Sequence, residues 1–171
     1  MEGWLTHANL IFRREEYIVK YVGVKHKPEH TNLFWFAVPD GLAPHVGVGS
    51  EVICDTRKGH NKGIVQVVLD GVSEDAMLHV AQFDRRYLPV KNIIAVALDA
   101  ELGEIHIPYF MENIPPTPEK IAKRVSEFYE LGRFDTPVIF TQDMNLQYGY
   151  TAYLVARMFG HETLRGFCLA L

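Results

Sequence analysis

GRFDTPVIF (132–140) and LQYGYTAYLVARMFGHETLRGF (146–167) are the stretches on which the reading of this chain turns. Pro137 to Phe140 is a short apolar run of strand type, Gln142 to Asn145 a turn, and Leu146 to Tyr148 a second short strand. Gly149 then breaks directly into a helix, Tyr150 to Phe159, which Gly160 ends. Arg157 is the only charge in that helix, so burial on most sides is expected. Leu164 to Ala170 closes the chain as a strand.

Working outward, a better-marked helix precedes this unit. Thr117 is a good N-cap, Pro118 takes the first helical position, and Glu119 suits the positive end of the dipole. Ile121, Val125, Phe128 and Tyr129 follow the stripe of a core-facing helix, and Leu131-Gly132 closes it. Ile105 to Ile107 reads as a short strand before it. Glu112 and His106, upstream of the helix, are weak catalytic candidates, because a carboxylate or imidazole there could serve as a base.

The ordered series strand, helix, strand, turn, strand, glycine, helix, strand resembles the ParB/sulfiredoxin-like family over about 65 residues. Gly132 and Pro137-Val138-Ile139 fill the first part of that pattern, and Leu146, Gly149, Tyr153, Ala156 and Gly160 the second. The resemblance implies a compact α/β domain that holds nucleotide phosphates at the helix start, here Gly149, Tyr150 and Thr151. It also implies that Gly132, Arg133 and Phe134 lie near the nucleotide, with magnesium as the accompanying ion. A glycine between strand and helix turns the chain sharply enough for free N–H groups to face an anion. Three departures weaken the implication. Tyr148 stands where an acid is expected, Ala152 where an arginine is, and Tyr150 where the sulfiredoxin cysteine would be. Losing the arginine removes a charge-assisted contact of about 1.5–3 kcal/mol. The chain reaches Leu171 without a helix-turn-helix, so a sliding DNA clamp is not expected. The plainer alternative is a tight strand-to-helix turn with no ligand, with Arg133 paired to Asp135.

The first half reads as a small β-barrel. Tyr17 to Val24, Leu33 to Val38, Glu51 to Asp55 and Gly63 to Leu69 are strands separated by glycine- and proline-rich turns. VGVGSEVICDTRKGHNKGIVQVV (46–68) weakly resembles an SH3-like barrel. Arg57, Lys58, His60 and Lys62 crowd one turn, which solvation explains better than an anion contact. His26 and His30 are four apart, but Pro28 between them argues for a loop, and no metal site is expected. Ser73 to Arg86 is a short helix capped by Ser73, and Tyr87 to Leu98 returns as strand. Ala100 to Gly103 is the expected boundary. The fold class is therefore α+β: a barrel with its connecting segment in residues 1–99, and the ParB/sulfiredoxin-like domain in 100–171.

Composition bounds the function. The 171 residues are 48% hydrophobic and 22% charged, as in a packed globular protein. No apolar run approaches the ~20 residues of a membrane span, and no secretory leader is evident, so a cytoplasmic protein is expected. Residues 1–99 hold 11 Lys/Arg against 12 Asp/Glu, and residues 100–171 hold 6 against 9. Non-specific nucleic-acid binding needs an excess that neither half has. Cys54 and Cys168 lack a CxxC context and read as buried thiols. Three functions compete: an accessory protein binding a nucleotide or other phosphate ligand, with a partner surface on the barrel; a phosphotransfer or nuclease-type enzyme; and a non-catalytic interaction scaffold of a plasmid or phage. The absence of a dense Asp, Glu and His constellation weighs against the second.

Overall fold

β4, Gly59–Val72, is long enough to serve two neighbours, and it organises the first half of the molecule. In the computed structural model, which describes residues 19–170, β4 pairs antiparallel with β1, Val19–Lys25, on one side and with β3, Glu51–Thr56, on the other. β1 in turn carries β2, Phe34–Val38. β3 passes the sheet on to β5, Ile93–Glu101, and β5 to β8, Thr163–Leu169. β6, Ile139–Thr141, runs parallel to β8 and carries the edge strand β7, Leu146–Tyr148. Among the described residues this makes one open, mixed, eight-stranded sheet of order β2-β1-β4-β3-β5-β8-β6-β7.

The expected barrel is thereby corrected. Closing it would require β5 to pair with β2, but β5 gives its free edge to β8 from Ala95 to Glu101. All that remains of closure is the bridge between Ala37 and Asn92, just before β5, with the Ala37 N–H donating to Lys91 O at 2.9 Å. The sheet stays open. The expected boundary at residues 99/100 falls inside β5, which joins the two halves.

Among the described residues, four α-helices flank the sheet: α1, Glu74–Val80; α2, Tyr109–Glu112; α3, Pro118–Leu131; and α4, Tyr150–Met158. Ser73 caps α1, its hydroxyl accepting from the Ala76 N–H at 3.2 Å. The helix read across Ser73 to Arg86 stops at Val80, and a 3-10 turn at Arg85–Tyr87 follows. The strand expected at Ile105 to Ile107 is a single bridge, His106 to Asn145.

α4 is buried as its composition requires. Ala152, Tyr153, Val155 and Ala156 face inward, and most of this face joins a core of Val22, Val52, Val96, Phe140 and Leu164. α3 is different. Its N-cap and left-handed Gly132 stop form as expected, yet none of its residues is buried, and Tyr129 is 74% exposed. The apolar stripe leans on α4 and the following loop, because α4 already covers that part of the sheet: Phe128 sits 5.3 Å from Phe134 and 6.0 Å from Phe159 between ring centroids. The core-facing reading of α3 is corrected accordingly.

Candidate functional site

The turn at Gly149 is built for close approach. Gly149 has φ of 96°, and a Cβ there would meet Val138 Cγ2 at 2.9 Å and Val138 Cα at 3.0 Å. Only glycine suits both the left-handed backbone and the contact with Val138. No side chain caps the helix, and no described residue accepts from the N–H groups of Tyr150 or Thr151. The turn is not plugged. Tyr148 is 54% exposed, and Tyr150 is half-buried with its ring stacked 6.3 Å from that of Tyr153.

These residues open onto a cleft of about 640 Å³ between α4 and the N-terminal turns of α3. Lys120, Lys123 and Arg124 form its basic wall; Phe110, Ile114 and Tyr148 form an apolar rim. The three cations lie at i, i+3 and i+4 and so share a helix face. They lie outside the apolar stripe of α3, and their spacing is the signal by which the sequence marks them. Arg124 is partly neutralised by its ion pair with Glu127. Lys120 and Lys123 are exposed and make no ion pair among the described residues. The helix that carries them is anchored by Thr117, whose hydroxyl accepts from the Lys120 N–H at 3.4 Å. Hydrogen bonds from its own N–H and from the Thr117 hydroxyl hold the Glu119 carboxyl below its ordinary value.

Gly132, Arg133 and Phe134 do not join this cleft. They line a separate trough of about 810 Å³ against the sheet, and Thr136 is the residue the two hollows share. The sequence-expected site is thus divided. Arg133 is exposed and makes no ion pair with Asp135. Glu112 and His106 are exposed and line neither hollow, and the His106 backbone bonds with Met144 O and the Leu146 N–H, each at 2.9 Å. Burial pushes the Cys54 thiol up to about 12 and raises that of Cys168, which suits neither as a nucleophile.

Among the described residues, none that lines the cleft beside α4 is Asp or Glu, so they offer no carboxylate to a magnesium ion. Among the described residues, no three His, Cys, Asp or Glu side chains are grouped to hold a metal. None of the described helices is long and apolar enough to cross a membrane. No protein family, curated protein sequence or solved structure matches this chain.

Proposed function

We propose that this protein binds a phosphate-bearing ligand, a nucleotide being the form tested first, with the phosphates at the start of α4. The observation that carries the reading is the meeting of two uncapped N–H groups, on Tyr150 and Thr151, with Lys120 and Lys123 in a cleft whose described lining has no carboxylate. The helix dipole adds roughly half a positive charge at that end. Backbone N–H groups hold the phosphate oxygens in position, while the lysines neutralise charge at longer reach. The apolar rim of Phe110, Ile114 and Tyr148 is where the remainder of the ligand lies. Magnesium, where it accompanies the nucleotide, is carried by phosphate oxygens and water.

The finer fold reading belongs to the same proposal. We place residues 100–171 in the ParB/sulfiredoxin-like class because α3, β6, β7, α4 and β8 follow in the order that the resemblance requires, with β6 parallel to β8. In this reading the N-terminal strands supply a surface for a protein partner. Arg133 leaves the phosphate site, because it lines the other hollow.

Thermal-shift and calorimetric titrations with ATP, ADP and CTP, with and without magnesium, test the proposal. Saturable binding is expected for at least one of them. It should fall roughly 10- to 100-fold in the Lys120→Gln/Lys123→Gln double variant, as loss of charge-assisted contacts requires. Absence of binding to all three nucleotides and to pyrophosphate would remove the reading.

A further inference from the structure

Arg57 and Lys58 form the two-residue turn between β3 and β4, since Thr56 pairs with Gly59. Thr56 fixes that turn. Its hydroxyl donates to Gly59 O at 2.6 Å and accepts from the Lys58 N–H at 3.3 Å and from Asn61 Nδ2 at 3.1 Å. A second segment lies alongside. Asp55 donates its N–H to Asn92 O at 3.1 Å, and Lys91 Nζ donates to Thr56 O at 3.3 Å. Tyr87, in the same segment, stands under the tip, with the Arg57 guanidinium 4.4 Å from its ring centroid.

A merely solvated turn would leave its side chains without fixed direction. Here stacking orients one guanidinium by its face. Arg57 makes no ion pair and no side-chain hydrogen bond among the described residues, so its planar donor edge is open.

Charge at this corner is not balanced. Asp55 is paired with Lys91 at 3.4 Å, Asp75 with Arg85 at 3.3 Å and Asp84 with Arg86 at 2.6 Å. Those carboxylates are matched, and Arg57 and Lys58 are left unpaired among the described residues, beside the exposed His60. Such a surplus selects an oxyanion. None of the exposed side chains of the tip, residues 57–62, is apolar; the aromatic surface comes from Tyr87, which is 50% exposed. Protein partners dock on buried apolar anchors and avoid lysine at the centre. A single nucleic-acid strand is instead held by cations on its backbone and aromatic rings against its bases.

We propose that Arg57, Lys58 and Tyr87 form a contact site for single-stranded nucleic acid. The Arg57 fork and Lys58 meet consecutive phosphates, and the open surface of Tyr87 stacks a base. The overall charge of −4 confines attraction to these few groups, so the contact is short and weak. The three residues line neither hollow, and the site stands whether or not the phosphate cleft binds nucleotides.

Fluorescence-anisotropy titration of the full chain with a labelled short oligothymidylate at low salt tests it. Saturable binding is expected, and two neutralised phosphates give log K against log salt a slope of about −1.4. Arg57→Gln/Lys58→Gln should weaken binding at least about tenfold and flatten that slope. Tyr87→Ala should weaken it about fivefold or more through lost stacking. Lys120→Gln/Lys123→Gln and added ADP should leave it unchanged. All of these side chains are exposed, so the variants are expected to fold. Absence of binding overturns the proposal, as does parental affinity in Arg57→Gln/Lys58→Gln. Loss in Lys120→Gln/Lys123→Gln alone would put the strand in the cleft instead. Equal affinity for a polyglutamate peptide would make the corner an acidic-peptide site and overturn the proposal too.

Discussion

The two hollows that meet at Thr136 differ most in their charge. Among the described residues, the cleft beside α4 is lined by three cations and no carboxylate, and the sheet trough by three Lys/Arg and three Asp/Glu. The first suits a multiply charged anion held by backbone N–H groups. The second balances its charges and favours neither sign. Both arise from the same short segment, because the chain leaves α3 at Gly132, passes along the trough and enters β6 beside Gly149. Residues close in sequence therefore serve different surfaces, and a ligand at one need not touch the other.

The largest perturbation should erase the distinction by damaging both hollows at once. Phe140 is fully buried in β6, and Gly166, a trough residue, packs against its ring. Phe140→Ala is expected to cost about 3–5 kcal/mol in urea unfolding, with loss of phosphate binding. Next comes Gly149→Val, which places a branched side chain at positive φ against Val138. A loss of about 2–4 kcal/mol is expected, and phosphate binding should be lost with it, because the turn belongs to the cleft. Thr117→Ala removes the cap of α3 and should cost about 1 kcal/mol in the same assay, with a modest weakening of nucleotide affinity as Lys120 loses its anchorage.

The smallest expected effect is a pH signature at the same cap. The Glu119 carboxyl is held below its ordinary 4.5 by hydrogen bonds to the charged form, so its contribution is present above that value and fades as pH falls through the lowered one. Glu119→Gln should accordingly be less stable than the parent at pH 7, with the difference shrinking under acid. A difference that grew on acidification would contradict the assigned cause. Because the side chain is exposed, the effect should be slight.

Local chemistry was legible in the sequence where it depends on neighbours in the chain. The Ser73 and Thr117 caps, the Gly132 stop, the Gly149 break and the burial of α4 all follow from a few adjacent residues. What could not be read was long-range pairing. Nothing in IIAVALDAE (93–101) says that β5 pairs with β8 on the edge that a barrel would need for β2. The stripe of α3 likewise records an apolar face but not whether a sheet or another helix covers it. The division of the site has the same origin: Gly132–Phe134 and Gly149–Thr151 were joined by a resemblance in order, while the parallel pairing of β6 with β8 directs them to different hollows. Lys120, Lys123 and Arg124 were readable by helical spacing alone, but they gain meaning only once α4 is seen to start opposite them.

The most direct test follows the backbone amides themselves. A ¹⁵N–¹H titration of the intact chain with ADP or pyrophosphate should move the Tyr150 and Thr151 resonances saturably, with Gly132, Arg133 and Phe134 left in place. Tyr150 and Thr151 amides that stay still while those of Gly132 to Phe134 move would put the phosphate in the wrong hollow and contradict the account.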